Sequence, residues 1–154
     1  MTRLFKNVPV LDAGGRGATT TFTQRGIGDV LVTFENEAIL IGDELGKDQF
    51  DVVYPSTSVE AAPPVAVIDA VVEKRGTRNL AEGYLNYLFT LPAQEIIARH
   101  NFRPREASVL EKNAQKFPKI TTFDVEELIG PWREVQKIHF DSGGIFDTII
   151  SGKN

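Results

Sequence analysis

Residues 7–40 read NVPVLDAGGRGATTTFTQRGIGDVLVTFENEAIL, and the division of this stretch decides the fold. Val8 to Leu11 is a short run of strand formers that meets Gly14, Gly15 and Gly17, and apolar runs bounded by glycine read as strands. Ala18 to Arg25 is expected to be a helix closed by Gly26, with Phe22 turned inward. Asp29 to Phe34, DVLVTF, is a continuous β-branched run of the kind found in a strand covered on both faces. ENEAILIGDELG then carries helical character up to Gly46, and FDVVYP adds a short strand stopped by Pro55. Strand, helix, strand, helix, strand is the order that produces α/β layers.

Beyond STSVEAAPPV, residues 56–65, the pattern changes. Ala66 to Glu73 reads as one more strand, and nearly everything after it as helix. Leu80, Tyr84, Leu85 and Leu88 recur at the spacing of one helix face. Pro92 sits where a helix start tolerates proline best, with Ile96 and Ile97 in the helix that follows. FRPRE, residues 102–106, is a turn, and Val109 to Phe117 is expected to be helical. Asp124 with Glu127 three positions on matches a capping box. Gly130 and Pro131 introduce a helix carrying Trp132, Val135 and His139 on one side, with Trp132 expected in the core. DSGG separates it from a last helix, Ile145 to Ile150. The fold class is therefore α/β or α+β, with helices concentrated in the second half. The pair Pro63 and Pro64 marks the crossing between portions 1–62 and 63–154.

Composition narrows the function. At 154 residues the chain suits one ordinary domain, long enough to bury roughly 70% of the surface its unfolded form exposes. The apolar share of 42% and charged share of 25% are those of globular proteins. No run approaches the ~18 apolar residues of a membrane span. Net charge is −4, and the basic residues are scattered singly or in pairs such as Lys74 and Arg75. Without a basic stripe, nucleic acid is not an expected partner. There is no cysteine, which removes thiolate chemistry, Cys-containing zinc sites and disulfides together. MTRLFKNVPV does not read as a signal peptide.

The glycine loop is the feature with chemistry in it. A loop ending in Gly14, Gly15, Arg16 and Gly17 just before a helix leaves the first amides of that helix without intrahelical partners, pointing where the dipole favours an anion. Thr19 to Thr21 offer further hydroxyl donors. Equally, the glycines are explained if the turn needs positive φ. GGRGATT lacks a Walker-type lysine and the GxGxxG spacing, so nucleotide binding is weakly supported. Arg16 either meets the anion, pairs with a carboxylate behind the loop, or is solvated. Glu35 and Glu37 are most simply read as capping the next helix. His100 and His139, the only histidines, lack an acidic cluster and read as packing or capping residues rather than metal ligands. In DSGGIFD, Asp141 and Ser142 serve a helix N-terminus adequately on their own. No cofactor or metal is expected.

The 7–40 stretch as a whole resembles the second lobe of the periplasmic sulfate- and thiosulfate-binding proteins of ABC transporters. The likeness continues through ELGKDQFDVVYPS, VVEKRGTRNLAEGYLNYLF, FRPRE, FPKITTFDVEELIGPW and HFDSGGIFD, and is most specific in GRGATTTFTQRGIGDVL with FENEA. The resemblance implies an α/β, periplasmic-binding-protein-like type II lobe, a mixed sheet flanked by helices with a helix-rich C-terminal part, together with periplasmic localisation and a longer family protein with a leader and a first lobe ahead of this region. It implies no enzymatic activity, with sulfate or thiosulfate as ligand and ABC permease subunits as partners.

In that family a dehydrated oxyanion is held mainly by neutral donors. By motif, the amide from this lobe falls on Gly15, Arg16 matches a loop-ordering arginine, and Gly14 and Gly17 keep the approach open. Phe34 matches a position that is Trp in many sulfate binders and Phe in members resembling the thiosulfate branch. The resemblance further implies that this half alone binds sulfate weakly or not at all, and that portion 63–154 would pack partly on the first lobe. Exposed apolar surface of that kind favours a homodimer. The rival readings are an enzyme or a sensor domain using the glycine loop for a phosphorylated or anionic ligand.

Overall fold

The computed structural model describes residues 1–46 and 49–152. Among them are helices α1 (Thr2–Phe5), α2 (Gly15–Arg25) and α3 (Glu35–Leu45), then strand β1 (Thr57–Val59) and helices α4 (Asp69–Arg75), α5 (Arg78–Tyr87), α6 (Leu91–Arg99) and α7 (Ala107–Lys112). Strand β2 (Thr121–Phe123) follows, and helices α8 (Val125–Ile129), α9 (Trp132–His139) and α10 (Ile145–Ser151) complete the order. The chain forms two compact units, one of Met1–Glu60 with the segment from Ile120 onward, the other of Ala61–Lys119.

In the first unit β1 and β2 pair in parallel, Thr57 opposite Thr121, Ser58 opposite Thr122 and Val59 opposite Phe123. Glu60 N–H extends the ladder by donating to Phe123 O at 2.9 Å. Helix α2 packs on α3 and ends at Gly26, whose left-handed backbone lets Ile27 N–H return to Thr21 O. The Phe22 ring lies 5.3 Å from that of Phe50. Helix α1 meets α10 through Phe5 and Phe146, edge to face at 5.5 Å. Asp124 caps α8, its Oδ1 accepting from Glu126 N–H at 2.7 Å and Glu127 N–H at 3.3 Å.

The second unit is helical. Its core is Val72, Ala93, Ala98, Val109 and Phe117, and Lys116 Nζ lies over the Phe117 ring while donating to Ala98 O at the end of α6. Buried Gln94 ties the start of α6 to the FRPRE turn. Its Nε2 donates to Leu88 O at 2.8 Å, and its Oε1 accepts from Arg105 N–H at 2.7 Å and Glu106 N–H at 3.3 Å.

Several expected elements differ. Ala66 to Glu73 is not a strand: residues 66–68 carry neither helix nor ladder and α4 starts at Asp69. Asp69 in its first turn, Lys74 and Arg75 in its last, and left-handed Gly76 just beyond it are complete helix-end signals, and they outweigh the strand preference of Val71 and Val72. Val8 to Leu11, Asp29 to Phe34 and residues 50–55 run without helix or ladder. The expectation that Asp29 to Phe34 is covered on both faces fails, since Val30 and Val32 are 80% and 89% exposed. β-branching specifies an extended chain, whereas a strand is completed by a neighbour's N–H and C=O groups. The sheet among the described residues is accordingly a two-stranded parallel one, rather than the mixed sheet expected. Trp132 is 56% exposed and not core, because α9 buries through Val135. On α5 the expected apolar face leaves Leu80 and Tyr84 exposed.

Candidate functional site

Helix α2 begins at Gly15, earlier than its expected start at Ala18, with Gly14 as N-cap and no side-chain cap. Ala18 N–H is the first to find an acceptor in the turn, Gly14 O at 3.1 Å. The N–H groups of Gly15, Arg16 and Gly17 precede the ladder, at the positive end of an eleven-residue helix with no acidic side chain in its first turn.

Positive φ does not explain the glycines. Gly14 is fully extended, and neither Gly15 nor Gly17 is left-handed. Close packing bears on two of them. A Cβ on Gly15 would stand 3.3 Å from Phe34 Cδ2, and one on Gly17 would stand 3.3 Å from Asp12 Cβ. Gly14 faces open space. The fold thus brings Phe34, the N-cap residue of α3, against the first residue of α2.

Arg16 has a carboxylate behind the loop. Its Nη2 lies 3.3 Å from Glu37 Oε1, and Glu37 Oε2 accepts from Thr19 Oγ1, also at 3.3 Å. Glu37 is buried while the Arg16 side chain remains 60% exposed, so the guanidinium bridges the solvent edge of the loop to a buried anion. The reading of Glu37 as a cap for α3 is corrected. That helix has no side-chain cap, and the Glu37 side chain turns to α2 instead. The threonines are corrected in part. Thr19 Oγ1 also lies 2.9 Å from Gly15 O, its one O–H shared between that carbonyl and Glu37, and Thr20 Oγ1 donates to Arg16 O at 3.0 Å, so both hydroxyls reach the helix backbone.

Sequence reasoning missed Asp12 beneath Gly17 and the Thr19–Glu37 contact; the eighteen-residue separation of that pair gives no local signal. It also missed Thr33, whose Oγ1 is closed off from solvent without a hydrogen-bond partner. In the DSGG loop the side chain that meets a loop amide is that of Asp147, while Asp141 Oδ1 accepts from Gln136 Nε2 at 3.4 Å. Asp147 Oδ2 accepts from Gly143 N–H at 2.9 Å. His100 ends α6 and His139 ends α9, and the described residues contain no His/Cys/Asp/Glu group able to hold a metal. No helix among them is long and apolar enough to cross a membrane.

A model of the bacterial extracellular solute-binding protein family matches residues 1–103. The chain is 59% identical over 149 residues to the thiosulfate-binding protein of Pseudomonas aeruginosa, covering 97% of this chain and 45% of that protein. It is 53% identical over 146 residues to the sulfate-binding protein of Escherichia coli, covering 95% and 44% respectively. Against the thiosulfate-binding protein of Escherichia coli it is 45% identical over 155 residues, covering 100% and 46%. The chain spans a little under half the length of these curated relatives.

Proposed function

The chain belongs to the bacterial extracellular solute-binding proteins, and from that membership we propose that it forms one wall of an oxyanion site in a sulfate or thiosulfate carrier. The carrier works in the periplasm and hands its ligand to the permease subunits of an ABC importer. The carrying observation is the uncapped start of α2, where the amides of Gly15, Arg16 and Gly17 lead a helix and Gly15 lies close beside the Phe34 ring. Sulfate and thiosulfate carry no proton near neutrality, so they offer acceptors only, and a rim of N–H donors suits them. The ion pair with Glu37 keeps Arg16 from acting as a free counter-charge. Gly14 and Gly17 leave the approach open. The reading is of a binding protein, not an enzyme.

Phe34 bears on which anion is preferred. Its ring has no donor, and a hydrogen bond to a charged group contributes about 1.5–3 kcal/mol. A site lined by this ring favours the larger, softer thiosulfate over sulfate.

The type II lobe architecture belongs to the same proposal. Portion 1–62 carries the loop, while portion 63–154 packs partly on a first lobe. The exposure of Val65, Ile68, Leu80 and Tyr84 supports that reading and also favours a homodimer of this chain by itself. With one wall of the cleft, the chain binds oxyanion weakly. Isothermal titration should show no micromolar sulfate binding to the monomer; tight binding would overturn the half-site reading. An NMR titration should still move the amides of Gly14 to Gly17 with either anion and not with chloride.

A further inference from the structure

Residues 30–34, VLVTF, show the exposure pattern of a strand that has no neighbour. Val30, Val32 and Phe34 are exposed, while Leu31 and Thr33 between them are half-buried, an alternation with the two-residue period of a strand. Phe34 has strand dihedral angles, φ −71° and ψ 149°. Among the described residues, no backbone group of positions 30–33 is hydrogen-bonded to another part of the backbone. Each of those N–H and C=O groups calls for a partner. Proteins usually blunt such an edge with lysine, proline or a bulge, and this run contains neither lysine nor proline. Its nearest charges are Asp29 before it and Glu35 after it.

The occupant that suits this edge is a second backbone whose apolar side chains alternate in the same way, and another copy of the run supplies that pattern. Charge selects the register. Parallel pairing without offset sets Asp29 against Asp29 and Glu35 against Glu35. Antiparallel pairing centred on Val32 sets Asp29 against Glu35 at both ends, and like charges directly opposite weaken a ladder. Antiparallel pairing centred on Leu31 avoids both conflicts. It places Val30 opposite Val32, Leu31 opposite Leu31 and Asp29 opposite Thr33, with Phe34 opposite Gly28, which has no side chain to meet the ring. This arrangement is two-fold and closes at two copies.

We propose that residues 30–34 form a self-recognition strand through which two copies of this chain pair antiparallel about Leu31. The strand belongs to the unit Met1–Glu60, whereas Val65, Ile68, Leu80 and Tyr84 belong to the other.

The test combines light scattering with cysteine cross-linking on the whole chain. A ladder this short is a small interface and gives a weak dimer, so scattering is followed from about 10 μM to about 1 mM. A dimer should form over that range, and Val32→Lys, which adds a charge at an exposed position, should abolish it without lowering the unfolding midpoint. The chain has no cysteine, so single thiols report the register. Residues directly opposite in an antiparallel pair have Cα atoms about 4.5–5.5 Å apart, within reach of a disulfide, whereas diagonal neighbours stand about 7–8 Å apart. A mixture of Val30→Cys and Val32→Cys should therefore cross-link between the two variants faster than either links to itself, and adding Leu80→Lys to both should leave that pattern unchanged. A strict monomer at the highest concentration, a dimer that survives Val32→Lys, or assembly beyond two copies overturns the inference. So does self-linking of Val32→Cys as fast as its linking to Val30→Cys. Should Val32→Lys fail to fold, the cysteine variants, close to valine in size, decide the matter.

Discussion

Arg16 Nη2 lies 3.3 Å from Glu37 Oε1, joining an arginine that is 60% exposed to a carboxylate that is 11% exposed. The pair fixes the solvent edge of the glycine loop to α3, and on the proposed oxyanion reading its position beside the first-turn amides sets how much positive charge an anion would meet there.

Glu37→Gln tests that control. The amide side chain keeps an acceptor for Thr19 but loses the charge that holds Arg16. With the arginine so exposed, solvent screening limits the stability loss to about 1 kcal/mol or less. The functional consequence is larger. A guanidinium released from Glu37 becomes a counter-charge for the anion, so the loop response to sulfate should strengthen at low salt and fall more steeply as salt is added. Titrations of parent and variant at low and physiological ionic strength check this, and identical salt slopes would show that Arg16 is already free of Glu37 in solution.

The three glycines should separate by steric cost. Gly14→Ala meets nothing within 4 Å, and loses only the modest advantage of glycine over alanine at an N-cap, under about 1 kcal/mol. Gly15→Ala presses on Phe34, whose ring is 58% exposed and able to yield. Helix propensity then offsets most of the cost. Gly17→Ala meets Asp12 Cβ, an atom fixed to the backbone, and should be the most destabilising, by about 1–3 kcal/mol. Urea unfolding gives the order, and adding Phe34→Ala should make Gly15→Ala stabilising. If Gly14→Ala proved the worst of the three, the loop conformation drawn from these contacts would be wrong.

How much of this was legible in the sequence follows from the range of each signal. Helix ends are local, and Gly26 and the Asp124 cap could be read directly because each acts within one turn of chain. The loop was legible for the same reason, since Gly14 to Gly17 and α2 are contiguous. Strands were not, because DVLVTF declares an extended backbone while its partners must come from elsewhere. Glu37 was named for its nearest helix and proved to serve the other, a side-chain choice that spacing along the chain does not encode. Trp132 was misplaced because size suggested burial, while α9 buries the smaller Val135 three positions on.

Phe34→Trp addresses selectivity. The indole N–H supplies a donor at a position where the present ring has none, and a full charge-assisted bond would be about 1.5–3 kcal/mol. Sulfate should gain more than thiosulfate, moving the ratio of the two affinities toward sulfate by about tenfold at the upper end of what a partly exposed site allows. The ratio is the quantity to read from paired titrations, because a general change in loop order would move both anions together. An unchanged ratio would detach Phe34 from ligand choice.

Gln94 carries the last prediction, in the helical unit Ala61–Lys119. One buried side chain, 5% exposed, serves three backbone groups: Leu88 O, Arg105 N–H and Glu106 N–H. Gln94→Leu keeps the volume and leaves all three without that partner. Each group left unpaired in a buried setting costs about 1–3 kcal/mol, less where water can enter, so a total loss of about 2–4 kcal/mol is expected. Because the chain has two units, a single global transition is not assured, and hydrogen exchange at Arg105 and Glu106 is the sharper readout. Those amides should lose protection in Gln94→Leu before the α2 amides change. Gln94→Glu distinguishes the two sides of the side chain. A carboxylate still accepts from Arg105 and Glu106 but cannot donate to Leu88 O, so protection at the FRPRE turn should survive while the start of α6 loosens. Equal loss at both ends would mean that burial of the side chain, not its hydrogen bonds, holds this junction.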